Sequence, residues 1–147
     1  MANNRNEILN DLLITLNRSL LMYVQEAWPW TAKDGEAEQR EILAVAERRR
    51  EHVAALVELL IDREVAVTFG VYPAEFTDLH YIALDYLLSL LVESEQQVVD
   101  AVAKASREIA ADDPEAAHLL ESILTGEKDT VARLQGLAKA RSPVAAG

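Results

Sequence analysis

The residues that could do chemistry begin with a charge in an apolar row. Ile42, Ala46, Arg49, Val53, Leu56 and Leu60 recur at alternating steps of four and three, which is one face of a helix. Arg49 stands in the middle of that face and His52 flanks it. A second row, Leu120, Leu124, Glu127, Val131, Leu134 and Ala138, carries Glu127 in the same way. An unpaired charge turned into a core is strongly destabilising, and a planar guanidinium can take a carboxylate through two parallel hydrogen bonds. Arg49 and Glu127 are therefore expected as a core polar pair. The alternative is a rotated helix from which Arg49 snorkels to solvent.

The remaining candidates carry weaker signals. His52 reads either as a hydrogen-bonded residue at the edge of the core or as a metal ligand beside Glu127. His80 and His118 fall near helix starts and flank the apolar rows. Glu47 and Glu51, four apart among Arg48 and Arg50, read as a solvated charged face. With no cysteine, thiolate metal sites, disulfides and thiol catalysis are excluded. No Gly-x-Ser-x-Gly elbow and no glycine-rich phosphate loop occurs. The net charge of −11 makes nucleic acid and anionic membrane poor partners. The longest apolar stretch, Tyr81 to Val92, is too short to span a bilayer and contains Asp85. The N-terminus lacks the basic start and apolar run of a signal peptide, so the cytoplasm is the expected compartment.

Positioning those residues requires long helices. The 147 residues suit one domain, half of them are hydrophobic, and glycine and proline are scarce. Four helical segments are expected, at about 5–27, 36–64, 78–109 and 114–141. Leu9, Leu12, Leu13, Leu16, Leu20 and Tyr23 share a face of the first, which Pro29 stops. Thr77 and Asp78 are expected to cap the third. Asp113 is expected to cap the fourth, with Pro114 in its first helical position. Short loops make each consecutive pair an antiparallel hairpin. The segment 65–76, with β-branched residues, Gly70 and Pro73, does not read as helix. Extended, it reaches about 40 Å at roughly 3.3 Å per residue, near the length of a helix of about 28 residues. Two hairpins and one long crossover form the connectivity of a ferritin-like four-helix bundle, all-α in class; an ordinary up-down bundle with a floppy loop is the alternative.

The helices also resemble those of the bacterioferritins and rubrerythrin-like proteins. The first, Leu9 to Gln25, is similar to their first helix, with an apolar start and Tyr23 at their core tyrosine. The segment around His52 is similar to their second, and that around Glu127 to their fourth. The resemblance implies a site for two metal ions held by one glutamate from each of helices one and three and a Glu-x-x-His pair from each of two and four. In this chain the first position falls on Leu16, the second pair reads Arg49-x-x-His52, and the fourth reads Glu127-x-x-Thr130. On helix three the nearest candidates are Ile82, Asp85 and Ser89. Two divalent ions need several carboxylates to offset their repulsion, and an arginine opposes them.

These observations lead to a ferritin-like protein whose di-metal site is degenerate, leaning away from an enzyme and expected to hold no cofactor. Its expected role is a dimeric scaffold or interaction protein. The interface candidates are Tyr81 and Leu88, because the third helix is apolar nearly all round, and Trp28 and Trp30, which bracket Pro29 at the end of the first helix and either meet a partner subunit or cap the bundle end. The alternative is a metal-binding protein with iron or another divalent ion at an altered, mononuclear site using His52 and Glu127, with Asp85 as a weak third ligand.

Overall fold

A computed structural model describes residues 2–28, 35–79 and 82–141. In chain order the elements are α1 (Ala2–Asn17), α2 (Leu20–Glu26), α3 (Glu36–Asp62), a 3₁₀ turn (Ala74–Leu79), α4 (Leu84–Ile109) and α5 (Pro114–Arg141). Among the described residues there is no strand.

Ion pairs at the two ends give the helix directions. At one end Arg63, closing α3, grips both oxygens of Asp113 at the head of α5 (2.7 and 2.8 Å) and reaches Asn6 of α1. At the other end Arg141 of α5 bonds Asp85, near the start of α4, and Glu38, near the start of α3. Thus α1 and α5 run one way, α3 and α4 the other. The residues between Asp62 and Leu84 must return along the whole bundle, which is the expected crossover.

That crossover is strapped to the outside of the first helical arm. The Asn10 amide donates to Thr68 Oγ1 (2.7 Å) and to its carbonyl, and accepts from its N–H (3.0 Å). Arg18 Nε donates to the carbonyls of Phe69 and Gly70 (3.1 and 3.0 Å) and its guanidinium lies over the Tyr72 ring. Gly70 has φ +67°, and a Cβ there would come 2.7 Å from Ile14 Cγ2, so the strap needs glycine where it crosses Ile14 of α1.

Two expected boundaries move. The first helix is two pieces: at Ser19 the backbone is extended (φ −73°, ψ 164°), and α2 restarts with Ser19 as its N-cap. The third long helix starts at Leu84 rather than near Thr77. Thr77 Oγ1 donates to Ala74 O within the 3₁₀ turn, so its hydroxyl serves its own turn instead of capping a helix. Asp113 caps α5 as expected, its Oδ1 accepting from Ala116 N–H at 3.2 Å.

The apolar rows bury two cores, one above the other. Leu9, Leu13, Leu16, Leu56, Leu60, Val102, Ile109 and Leu120 belong to the first. Leu20, Leu21, Ile42, Val45, Leu87, Leu88, Leu91 and Leu134 belong to the second. Each wholly buried leucine adds about 1.5–3 kcal/mol relative to exposure. Between the two cores lies a polar layer.

Candidate functional site

Three helices each place one charged side chain in that layer. Arg49 comes from α3, Glu95 from α4 and Glu127 from α5, and each is 1% exposed. All three occupy a core position of their row; Glu95 follows Leu84, Leu88 and Leu91 at steps of four, three and four. Burial is therefore imposed by the helix, and pairing must follow from it.

Arg49 spends every N–H it has. Nε donates to Glu127 Oε2 (2.5 Å), and Nη2 donates to Glu127 Oε1 (2.8 Å) and Glu95 Oε1 (2.6 Å). Nη1 donates to Ser19 Oγ (3.0 Å) and the Leu16 carbonyl (3.3 Å). The break between α1 and α2 makes these last two bonds available. The carbonyls in the last turn of a helix lack partners within it, and the Leu16 carbonyl accepts from Ser19 Oγ (3.1 Å) as well as from Arg49. His52, one turn along α3, completes the group with Nδ1 at 2.9 Å from Glu127 Oε2. Its ring lies against Gly126 of α5, where a Cβ would come 2.6 Å from its Cε1.

The two carboxylates are not equivalent. Burial opposes the charge of Glu127 more than any other single cause, yet hydrogen bonds from His52 and Arg49 and their charge attraction together outweigh it and hold its carboxyl below the usual range. Glu95 has one bond from Arg49, and its Oε2 is buried without a hydrogen-bond partner among the described residues. There burial prevails over the attraction of Arg49 and pushes the carboxyl up. For Arg49, burial is likewise the largest cause, but Glu95 and Glu127 raise its affinity for its proton above the ordinary value.

The other expected residues lie elsewhere. Asp85 is not near the layer; it pairs with Arg141 at the bundle end (2.7 Å), because α4 begins there and its register puts Glu95 inside. Ser89 is exposed and Ile82 half-buried against the second core, so neither fills the expected helix-three position. Leu88, an interface candidate, is wholly buried in the second core and unavailable to a partner. Trp28 is half-buried on that same core. Trp30, His80 and Tyr81 lie outside the described residues. Glu47, Glu51 and His118 are exposed. The sequence reading missed Glu95, Ser19 and Gly126, although the row carrying Glu95 has the same four-three spacing as the other two.

The donor set does not fit a di-metal centre. Of the positions that the bacterioferritin resemblance implies, Leu16 offers no ligand atom and Arg49 puts a permanent cation between the two carboxylates. Among the described residues no group of three or more His, Asp or Glu side chains is placed to hold a metal ion.

No family model matches the sequence, and no curated protein does. Solved structures do match in fold. A PmFTN variant soaked in iron overnight superposes with a TM-score of 0.77 at 14% identity, over 95% of this chain and 92% of that one. Another variant, soaked for 5 min, gives 0.78 at 14% identity, over 96% and 92%. These neighbours are ferritins, and the chain has the ferritin-like fold of an all-helical bundle.

Proposed function

We propose that this is a non-catalytic ferritin-like protein in which a salt-bridge layer stands where the family holds its metals, and which acts through its surface as a homodimer in the cytoplasm. One observation carries the reading: all five N–H groups of Arg49 are committed, to two carboxylates, a hydroxyl and a carbonyl. A divalent ion brought among Glu95, Glu127 and His52 would meet a buried cation already bonded to both acids. Exposed apolar side chains on the strap and α4, with Phe69 44%, Val71 84% and Tyr86 57% exposed, support a protein contact.

The second reading takes iron or another divalent ion at a single site on His52 and Glu127. The iron-soaked PmFTN neighbours and the proximity of those two residues favour it. Elemental analysis of protein grown with iron, manganese and zinc separates the readings. The expected result is no stoichiometric metal and no uptake on titration. Stoichiometric metal that disappears in His52→Ala or Glu127→Ala overturns the first reading. A monomer in light scattering at micromolar concentration overturns the dimer.

A further inference from the structure

The layer contains one arginine against two carboxylates, and the arginine divides itself unevenly. Glu127 receives two of its hydrogen bonds and one from His52, whereas Glu95 receives a single bond through Oε1. Glu95 Oε2 is buried, with no hydrogen-bond partner among the described residues. With Arg49 and Glu127 counted as one neutral pair, and His52 bonded to Glu127 and not to Glu95, an ionised Glu95 has no cation of its own in a layer closed above and below by leucine cores. An unpartnered carboxylate oxygen there is far more costly than a neutral carboxyl group.

The charge must be balanced by something small. The surface cavities beside Asn6 and Arg63, beside Ile8 and Ala101, and beside Leu20 and Phe76 are not lined by Arg49, His52, Glu95 or Glu127. Every N–H of Arg49 is already used. The ligand that needs no added volume is a proton. The groups facing Glu95 permit this. From α3 come Arg49 and, beyond it, His52, which is bonded to Glu127 and not to Glu95; from α5 comes Glu127; from the α1–α2 junction Ser19 Oγ and the Leu16 carbonyl bind Arg49 and do not titrate.

We propose that the polar layer is a proton-binding site, in which Glu95 is a neutral carboxylic acid at neutral pH with its proton on Oε2. The bundle then takes up a proton at Glu95 when it folds and releases it when the layer opens. Burial acts in the same direction, raising the Glu95 carboxyl. A carboxyl raised in the folded state adds stability that is complete below its unfolded value and is lost as pH rises through the folded value. The bundle therefore loses stability as pH rises from the unfolded carboxyl value of about 4 to the folded value of Glu95, above which Glu95 ionises against Glu127 and the loss is complete.

The test uses the whole chain labelled with carboxyl-¹³C glutamate, at neutral pH, in a sample whose metal content is measured. The inference rests on the metal-free reading, and that measurement keeps failure of the one distinct from failure of the other. The expected result is one glutamate carboxyl signal at the protonated position, moving to the ionised position as the pH is raised. That signal is lost in Glu95→Gln, which keeps the shape of the neutral acid. Glu95→Gln is expected to melt with the wild type only below the unfolded carboxyl value of about 4, and above it at progressively higher temperature than the wild type, because it takes up no proton on folding. In wild-type protein, glutamate signals that are all ionised at neutral pH overturn the proposal, as does an imidazolium signal from His52 alongside them. The wild-type spectrum decides even if the variant does not fold.

Discussion

The imidazole of His52 rests on the bare backbone of Gly126, so close that a Cβ there would lie 2.6 Å from Cε1 and 2.8 Å from Nε2. A glycine inside a long helix is destabilising by roughly 0.5–1 kcal/mol relative to alanine. Here it gives the ring room to reach Glu127.

Gly126→Ala is therefore expected to gain little or nothing from helix propensity, because the ring must swing away and release Glu127. A double-mutant cycle isolates this. His52→Ala is expected to cost about 1.5–3 kcal/mol in the wild-type background, as for a hydrogen bond to a charged group, and close to nothing beside Gly126→Ala. Equal costs in both backgrounds, measured by urea unfolding, would show that the ring keeps its bond despite the methyl group.

Glu127→Ala leaves the Arg49 guanidinium with half its carboxylate partners gone. The expected loss is about 3–5 kcal/mol in denaturant unfolding. Replacing the whole layer together, Arg49→Met with Glu95→Leu and Glu127→Leu, is expected to recover most of that loss, because no charge is then left unpaired. A triple variant less stable than Glu127→Ala refutes this account of the layer.

Acid stability is expected to depend on the far end of the bundle. The Arg63 guanidinium beside Asp113 holds that carboxyl below the usual range. A carboxyl lowered in the folded state adds stability present above its unfolded value of about 4 and lost as pH falls through the folded one. Arg63→Ala should cost most stability at neutral pH, where the pair is intact, and less as Asp113 becomes protonated, and the midpoint of acid unfolding should move to higher pH. An unmoved acid midpoint counts against the pair.

The strap is expected to open without the bundle. Asn10→Ala and Arg18→Ala together remove its hydrogen bonds from Thr68, Phe69 and Gly70. Hydrogen exchange at 66–72 should then accelerate while that in α4 and α5 stays slow. Acceleration in α4 as well would mean that the strap and the bundle unfold as one unit.

Much of this was legible in the spacing of residues. The rows through Arg49 and Glu127 carry a charge at a core step, and a charge in a leucine row stands out. The row through Glu95 carries the same signal, but the run from Tyr81 to Val92 is apolar on nearly every side and hides its inner face. Placing the start of that helix near Thr77 drew attention to Asp85, too early in the chain. The break at Ser19 has only a weak local signature, a capping serine inside an otherwise continuous leucine row. Its cause is tertiary, for the bonds that the broken turn can offer are the ones Arg49 uses. Gly126 carries no sequence signal for a similar reason: only the neighbouring helix shows what its missing Cβ makes room for.

The layer has one more effect, on alignment. Leucine rows are forgiving, and two helices can slide past each other by a turn and still find apolar neighbours. Arg49, Glu95 and Glu127 act as index marks on three such rods: a slip of one turn on any of them, about 5.4 Å, would bring a charge level with leucines. The polar plane therefore serves as a keyway, contributing less to how tightly the bundle holds than to which of its many similar packings it adopts.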